Sequence, residues 1–241
     1  MKQSFFVRYF FILMAILFIV IAAVGFGQSE MMIQQQHIPI HWIVRVHGAL
    51  LTAWLLLFLL QAILVKRLNL QLHKKLGLLS IALAVFVWLS MGIVIIHAHI
   101  GYPFWPKMNT SWATVCMLSS IMNLFALFFT WAIITRKKAA VHKRLLFLAT
   151  MVVVSAGLGR ILGFAGIDFT IQWGHFTFLT KPSLLGAGNP SGLLFYNDLL
   201  LLLLFIYDFA ALKRIHRTTL LGSGILIGVH IIILASWPFL T

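Results

Sequence analysis

Residues 43–98 read IVRVHGALLTAWLLLFLLQAILVKRLNLQLHKKLGLLSIALAVFVWLSMGIVIIHA: two long apolar runs, 43–65 and 76–98, joined by a ten-residue connection that carries Lys66, Arg67, Lys74 and Lys75. Each run has 23 residues, and about 20 helical residues cross the roughly 30 Å of hydrocarbon in a bilayer. Working outward, runs of similar length recur at 9–26, 112–135, 145–165, 193–212 and 219–238. The ten-residue alternation of a transmembrane β-barrel is absent. The expectation is an all-α polytopic transmembrane bundle of seven spans, forming one transmembrane domain over residues 1–241.

Composition agrees. Hydrophobic residues make up 62% of the 241 and charged residues 9%, against about 45–50% and 25% in soluble domains. A soluble fold cannot bury so much apolar surface, and a disordered chain would be polar. The formal charge of +14 invites a nucleic-acid reading, which so apolar a composition excludes. Cys116 is the only cysteine, so there is no intrachain disulfide, CxxC pair or covalent haem attachment. No Walker, GxSxG or HExxH pattern occurs, and the seventh run has no lysine for a retinal Schiff base.

The charges imply an orientation. Lys2 and Arg8 precede the first run. The second-to-third connection holds four basic residues; Arg136, Lys137, Lys138, Lys143 and Arg144 fill the fourth-to-fifth, and Lys213, Arg214 and Arg217 the sixth-to-seventh. That places 14 of the 18 basic residues on one side, which the positive-inside rule makes cytoplasmic, with the N-terminus in and the C-terminus out. Trp42, Trp105, Trp112, Trp173 and Trp237 fall near the other boundary, as an aromatic belt would. The expected setting is a bacterial inner membrane, with anionic lipids against the basic face. The first run also reads as a cleaved signal peptide, but it exceeds the usual h-region and lacks a good cleavage site. The outer loop 166–192 is either a cap over the bundle or a plain connection.

The three basic turns share a pattern: Leu72-His73-Lys74-Lys75-Leu76, Val141-His142-Lys143-Arg144-Leu145 and Ile215-His216-Arg217. Three repeated helical hairpins after an initial helix would account for it, as would the ordinary enrichment of basic residues in inner turns.

His47-Gly48-Ala49-Leu50-Leu51-Thr52-Ala53-Trp54, Gln61, Leu64 and Leu72-His73-Lys74-Lys75-Leu76-Gly77 resemble a family of bacterial polytopic integral membrane proteins. The likeness continues through His142-Lys143-Arg144-Leu145, Arg160, Asp198 and Tyr207-Asp208. It implies a multi-pass inner-membrane protein and carries no activity. The histidine-studded bundle is also similar, in architecture alone, to membrane cytochrome b and haem-handling proteins.

An ionisable side chain at mid-membrane costs about 2.5–3.5 kcal/mol on insertion scales, so each needs a partner or a task. From the helical rise, Arg160 and Asp198 fall at matching depth in the outer half, which predicts an ion pair, joined by Asn197. That group is either a packing device or a site for an anionic or polar ligand. His47, Trp54 and Gln61 share a face of the second run, Ser90 and His97 one of the third, and Ser223, His230 and Trp237 one of the seventh. Asn197, Leu201, Leu204 and Asp208 line a stripe of the sixth; such faces should point into the bundle. Gly159/Gly163 and Gly224/Gly228 have the spacing of close helix contacts. His47 and His97 fall at similar height on neighbouring helices, where they could ligate a haem b iron axially, or with Asp198 or His230 hold a metal ion. Plain hydrogen-bonded histidines are the alternative. His37/His41 and His97/His99 also have metal-capable spacing.

Three classes of function therefore stand: a protein binding a cofactor or small ligand in its outer half, a secondary transporter or channel, and an accessory protein that assembles with a membrane partner or with itself.

Overall fold

A computed structural model describes residues 4–35, 37, 40–100, 112–165, 171–173, 176–178 and 190–236. Its helices are α1 (Phe5–Gln35), α2 (Trp42–Lys66), α3 (Leu70–Ile100), α4 (Trp112–Ile134), α5 (Ala139–Phe164), α6 (Pro190–Leu212) and α7 (Arg217–Ser236). Six of them, all but α6, are long and apolar enough over their described residues to cross a membrane. Between α5 and α6 lies a small antiparallel hairpin, β1 (Ile171–Trp173) and β2 (Phe176–Phe178), with Gln172 opposite Thr177. The loop 166–192 therefore has local structure of its own, an addition to the all-α expectation.

The helices overrun the apolar runs. At 1.5 Å per residue the 31-residue α1 and α3 are each about 46 Å long, beyond the hydrocarbon thickness. Helical hydrogen bonding needs no apolar side chain, so a helix continues until a cap or turn stops it. The starts have caps: Ser4 Oγ accepts from Val7 N, His41 Nδ1 from Ile43 N, Asn69 Oδ1 from Leu72 N and His216 Nδ1 from Thr218 N. At two basic turns a non-glycine residue takes the left-handed conformation that reverses the chain, Leu68 at φ 59° and Lys213 at φ 57°.

Successive helices alternate in direction, and the three short turns share one end of the bundle. There the start of α1 meets the end of α2 (Lys66 Nζ is 4.6 Å from the Tyr9 ring), and Lys143 of α5 donates to Tyr207 of α6. This is the basic end; the opposite one is the far end. Trp42 and Trp112 are exposed at the far end. Side chains of Trp105, Trp173 and Trp237 lie outside the described residues.

Helix α5 is the centre, packing on α1, α4, α6 and α7. Within its most apolar stretch 61% of residues are buried, against 17% for α3. Large apolar side chains on α3 and α7, among them Leu78, Phe86, Ile96, Leu221 and Ile232, face outward, an arrangement a bilayer accommodates and water does not. α1 belongs to the core: Phe10 stacks on Tyr207 at 4.4 Å, and Phe18 packs on Phe147 at 5.4 Å.

Glycine does control helix approach, at Gly25, Gly157 and Gly222. A Cβ on Gly25 would run into the Gly157 carbonyl, and one on Gly157 would sit 3.0 Å from the Ile21 carbonyl, so α1 and α5 touch backbone to backbone. A Cβ on Gly222 would strike Leu148 of α5. Gly224 and Gly228 face open space, which corrects their reading as a close contact. On a helix that buries Thr219, Gly222, Ser223, Leu226 and His230, those two positions fall on the opposite side.

Candidate functional site

The inward-facing stripes are as expected. On α2, His47 meets Ser90 of α3 at 2.9 Å, Trp54 donates to Thr150 of α5, and Gln61 donates to the His73 carbonyl. On α6, Leu201, Leu204 and Asp208 are buried, and on α7 Ser223 and His230 are too.

The partners inside the bundle differ from those predicted. Asp198 of α6 accepts a hydrogen bond from His230 Nδ1 of α7 at 3.0 Å, where the expected partner was Arg160. The Arg160 guanidinium donates to the Ala156 carbonyl at 2.9 Å and lies 4.2 Å from the Phe26 ring of α1. Depth says nothing about azimuth, and the α6–α7 seam brings histidine to Asp198. The Asn197 side chain lies outside the described residues.

His230 is 3% exposed and Asp198 32%. A carboxylate accepting from Nδ1 leaves the lone pair of a neutral imidazole on Nε2, and His230 Nε2 is buried with no hydrogen-bond partner. The same logic applies at His47. The Ser90 hydroxyl donates to the Val87 carbonyl at 2.8 Å, so the proton between Ser90 and His47 belongs to His47 Nδ1, and its Nε2 carries the lone pair. A histidine held by Nδ1 with Nε2 open is the arrangement of a metal-ligating or proton-accepting imidazole.

His47 and His97 were expected to face each other. The α2–α3 register sets His47 against Ser90, and His97 lies seven residues, about 10 Å, further along α3. At that level the ring of His41 meets His97, with centroids 6.0 Å apart. No group of three or more His, Cys, Asp or Glu with metal-binding geometry occurs among the described residues.

Among the described residues the most heavily bonded acid is Asp208, which sequence reasoning placed only in a stripe. Its Oδ1 accepts from Arg144 Nε at 2.9 Å and from a second guanidinium nitrogen; its Oδ2 accepts from His216 N at 2.9 Å and Thr219 Oγ1 at 2.6 Å. Arg144 also donates to the Ala140 carbonyl, and both side chains are nearly inaccessible. This knot joins α5, α6, the α6–α7 turn and α7 at the basic end. The signal available in the sequence was an arginine counted among turn charges: Arg144 lies one turn inside α5 and faces the core.

The three turn histidines are used in three different ways. His142 Nδ1 bonds to the Ala132 carbonyl at 2.8 Å, His216 caps α7, and His73 Nδ1 is buried and unpartnered. Burial, with the nearby Arg144, Arg214 and Lys143 charges, holds His216 below its usual 6.5, opposed in part by Asp208.

Fold and site define an α-helical bundle of multi-pass membrane type, with a saturated ion-pair knot at one end and a carboxylate–histidine dyad toward the other. No family model, curated protein or solved structure matches the chain.

Proposed function

We propose that the protein is a seven-span inner-membrane protein of bacterial type, N-terminus in and C-terminus out, that binds a cofactor or small ligand in its outer half. The observation that carries the reading is the His230–Asp198 dyad with its buried, unpartnered Nε2. A polar atom left bare inside a bundle costs about 1–3 kcal/mol, which a ligand at that atom would recover. His230 is the proposed donor to haem iron or a metal ion, and Asp198 fixes its ring and tautomer. His47, His97, Arg160 and Asn197 are the further polar groups proposed for the same half of the bundle. At the basic end, Arg8 and Lys66 gather around Tyr9, and the bundle acid nearby, Asp208, is fully engaged, which supports anionic lipid headgroups as their counterions.

The test is an absorption spectrum with metal analysis on protein purified without chelators. A haem band or a stoichiometric metal, lost in His230→Gln and altered in Asp198→Asn, supports the reading; a colourless, metal-free preparation sinks its cofactor form. A second reading, a proton-coupled carrier, is favoured by the unequal exposure of the dyad. Its carboxylate reaches the edge of the packed region while its imidazole does not, as a proton-accepting pair at the mouth of a path would. Proton flux in reconstituted vesicles that disappears in Asp198→Asn would select that reading.

A further inference from the structure

The α2–α3 hairpin has a register that can be read rung by rung. Its closed end is the three-residue turn 67–69, and the first cross-helix rung is Gln61 to the His73 carbonyl. The second is His47 to Ser90. At the open, far end the third rung is His41 beside His97, ring centroids 6.0 Å apart and planes at 67°. His41 belongs to the pair His37/His41 and His97 to the pair His97/His99, so the fold takes one imidazole from each local pair and sets them together across two helices.

That spacing suits a shared ion. Metal–nitrogen bonds of about 2.0–2.1 Å place a metal roughly 3.2 Å from each ring centroid, so two imidazoles on one ion have centroids about 5.2 Å apart at the tetrahedral angle and about 6.4 Å apart when opposed. The observed separation lies between these limits. We propose that His41 and His97 form a two-histidine clip for a first-row transition ion of imidazole preference, zinc(II) or copper(II), at the far mouth of the α2–α3 hairpin. No third His, Cys, Asp or Glu groups with them among the described residues, so the clip is proposed with these two protein ligands. Imidazole donors exclude magnesium and calcium, which take oxygen ligands. The proton bookkeeping is simple. His41 Nδ1 accepts a long cap bond from Ile43 N at 3.4 Å, so coordination through Nε2 moves the ring proton to Nδ1 and gives up that contact. The clip is separate from the His230 dyad and stands or falls without it.

The experiment is a zinc titration, with a chromophoric competitor, of full-length protein in nanodiscs of zwitterionic phosphatidylcholine. His41→Asn keeps an N-cap acceptor and removes the imidazole; His97→Gln removes the other. The expected result, read in the His230→Gln protein so that the dyad adds no second site, is one zinc per chain, weakened more than about tenfold by either variant, since loss of outer-shell support alone costs a ligand that much. The site should be unaffected by His230→Gln and indifferent to magnesium. A second readout needs no variant: zinc should protect His41 and His97, and not His142 or His216, from diethyl pyrocarbonate. Zinc affinity unchanged in both variants, or protection absent at both rings, would mean an adventitious ion only and overturn the proposal.

Discussion

Replacing Asp208 by Asn tests whether the knot at the basic end holds the bundle together. Asp208 is 0% exposed and Arg144 2%, and the carboxylate receives four hydrogen bonds from three segments. Asparagine keeps the volume and one acceptor oxygen. It removes the charge that balances a buried guanidinium, and it turns an N–H₂ group toward one set of donors. Breaking a buried pair by neutralising one partner costs about 3–5 kcal/mol, because the other charge stays buried and unmatched. Arg144→Met alone should cost a comparable amount, leaving the carboxylate with only His216 N and Thr219 Oγ1. The combination of Arg144→Met with Asp208→Asn leaves neither charge, and costs about 1–3 kcal/mol for each donor near α7 that the amide leaves bare. The double variant should therefore cost about as much as one single variant rather than their sum. Reversible unfolding in mixed micelles of increasing denaturing detergent reads all three. A loss under about 1 kcal/mol for Asp208→Asn, or strict additivity in the cycle, would refute the reasoning.

Three further outcomes follow from the same structure. Gly25→Ala and Gly157→Ala should each lower stability by about 1–3 kcal/mol or more, by prising α1 from α5, while Gly224→Ala and Gly228→Ala should be neutral or slightly stabilising; unfolding midpoints separate the two sets. His216, whose folded pKa lies below 6.5, stabilises the fold fully above pH 6.5, and the contribution is lost as pH falls through the folded value, when protonation also ends its cap to Thr218 N. His216→Asn retains a cap acceptor and should remove the part of the fall in stability below pH 6.5 that this group contributes; an unchanged slope would contradict this. Leu68, 82% exposed at φ 59°, holds a conformation that costs a non-glycine residue about 1–2 kcal/mol, so Leu68→Gly should raise the unfolding midpoint.

Much of the fold was legible because membrane insertion leaves a coarse mark. Apolar runs of about 20 residues locate helices whatever they pack against: each of the seven runs falls on a described helix, and six of those helices are long and apolar enough to cross a membrane. Heptad-spaced polar residues likewise revealed which faces of α2, α6 and α7 turn inward, since lipid offers them no partner. Pairing was not legible. Depth follows from counting residues along one helix, but contact also needs the rotation of each helix and the order of neighbours. That is why counting along α6 did not reveal that Asp198 meets His230. The glycines failed for a related reason: Gly224 and Gly228 have the spacing of a contact, but only azimuth decides whether a neighbour or open space lies across from it. Arg144 was hidden by its company, five basic residues within nine positions, of which one turns inward.

The two acids of α6, Asp198 and Asp208, stand ten residues apart and both reach α7, so they form two rungs of one seam. They differ in how far their hydrogen-bonding capacity is used. At Asp208 both oxygens are occupied and a guanidinium matches the charge, and a group so satisfied offers nothing to a ligand. At Asp198 one oxygen holds one imidazole nitrogen, and the other nitrogen of that ring is buried and bare. A rung that served packing alone would gain stability from replacing His230 and Asp198 by apolar residues of similar size, as buried polar groups commonly do. A rung kept for chemistry would lose its ligand or its proton by the same change while the bundle stayed folded. The contrast between the rungs therefore assigns the structural role to the basic end and leaves the far half of the seam as the place to look for activity.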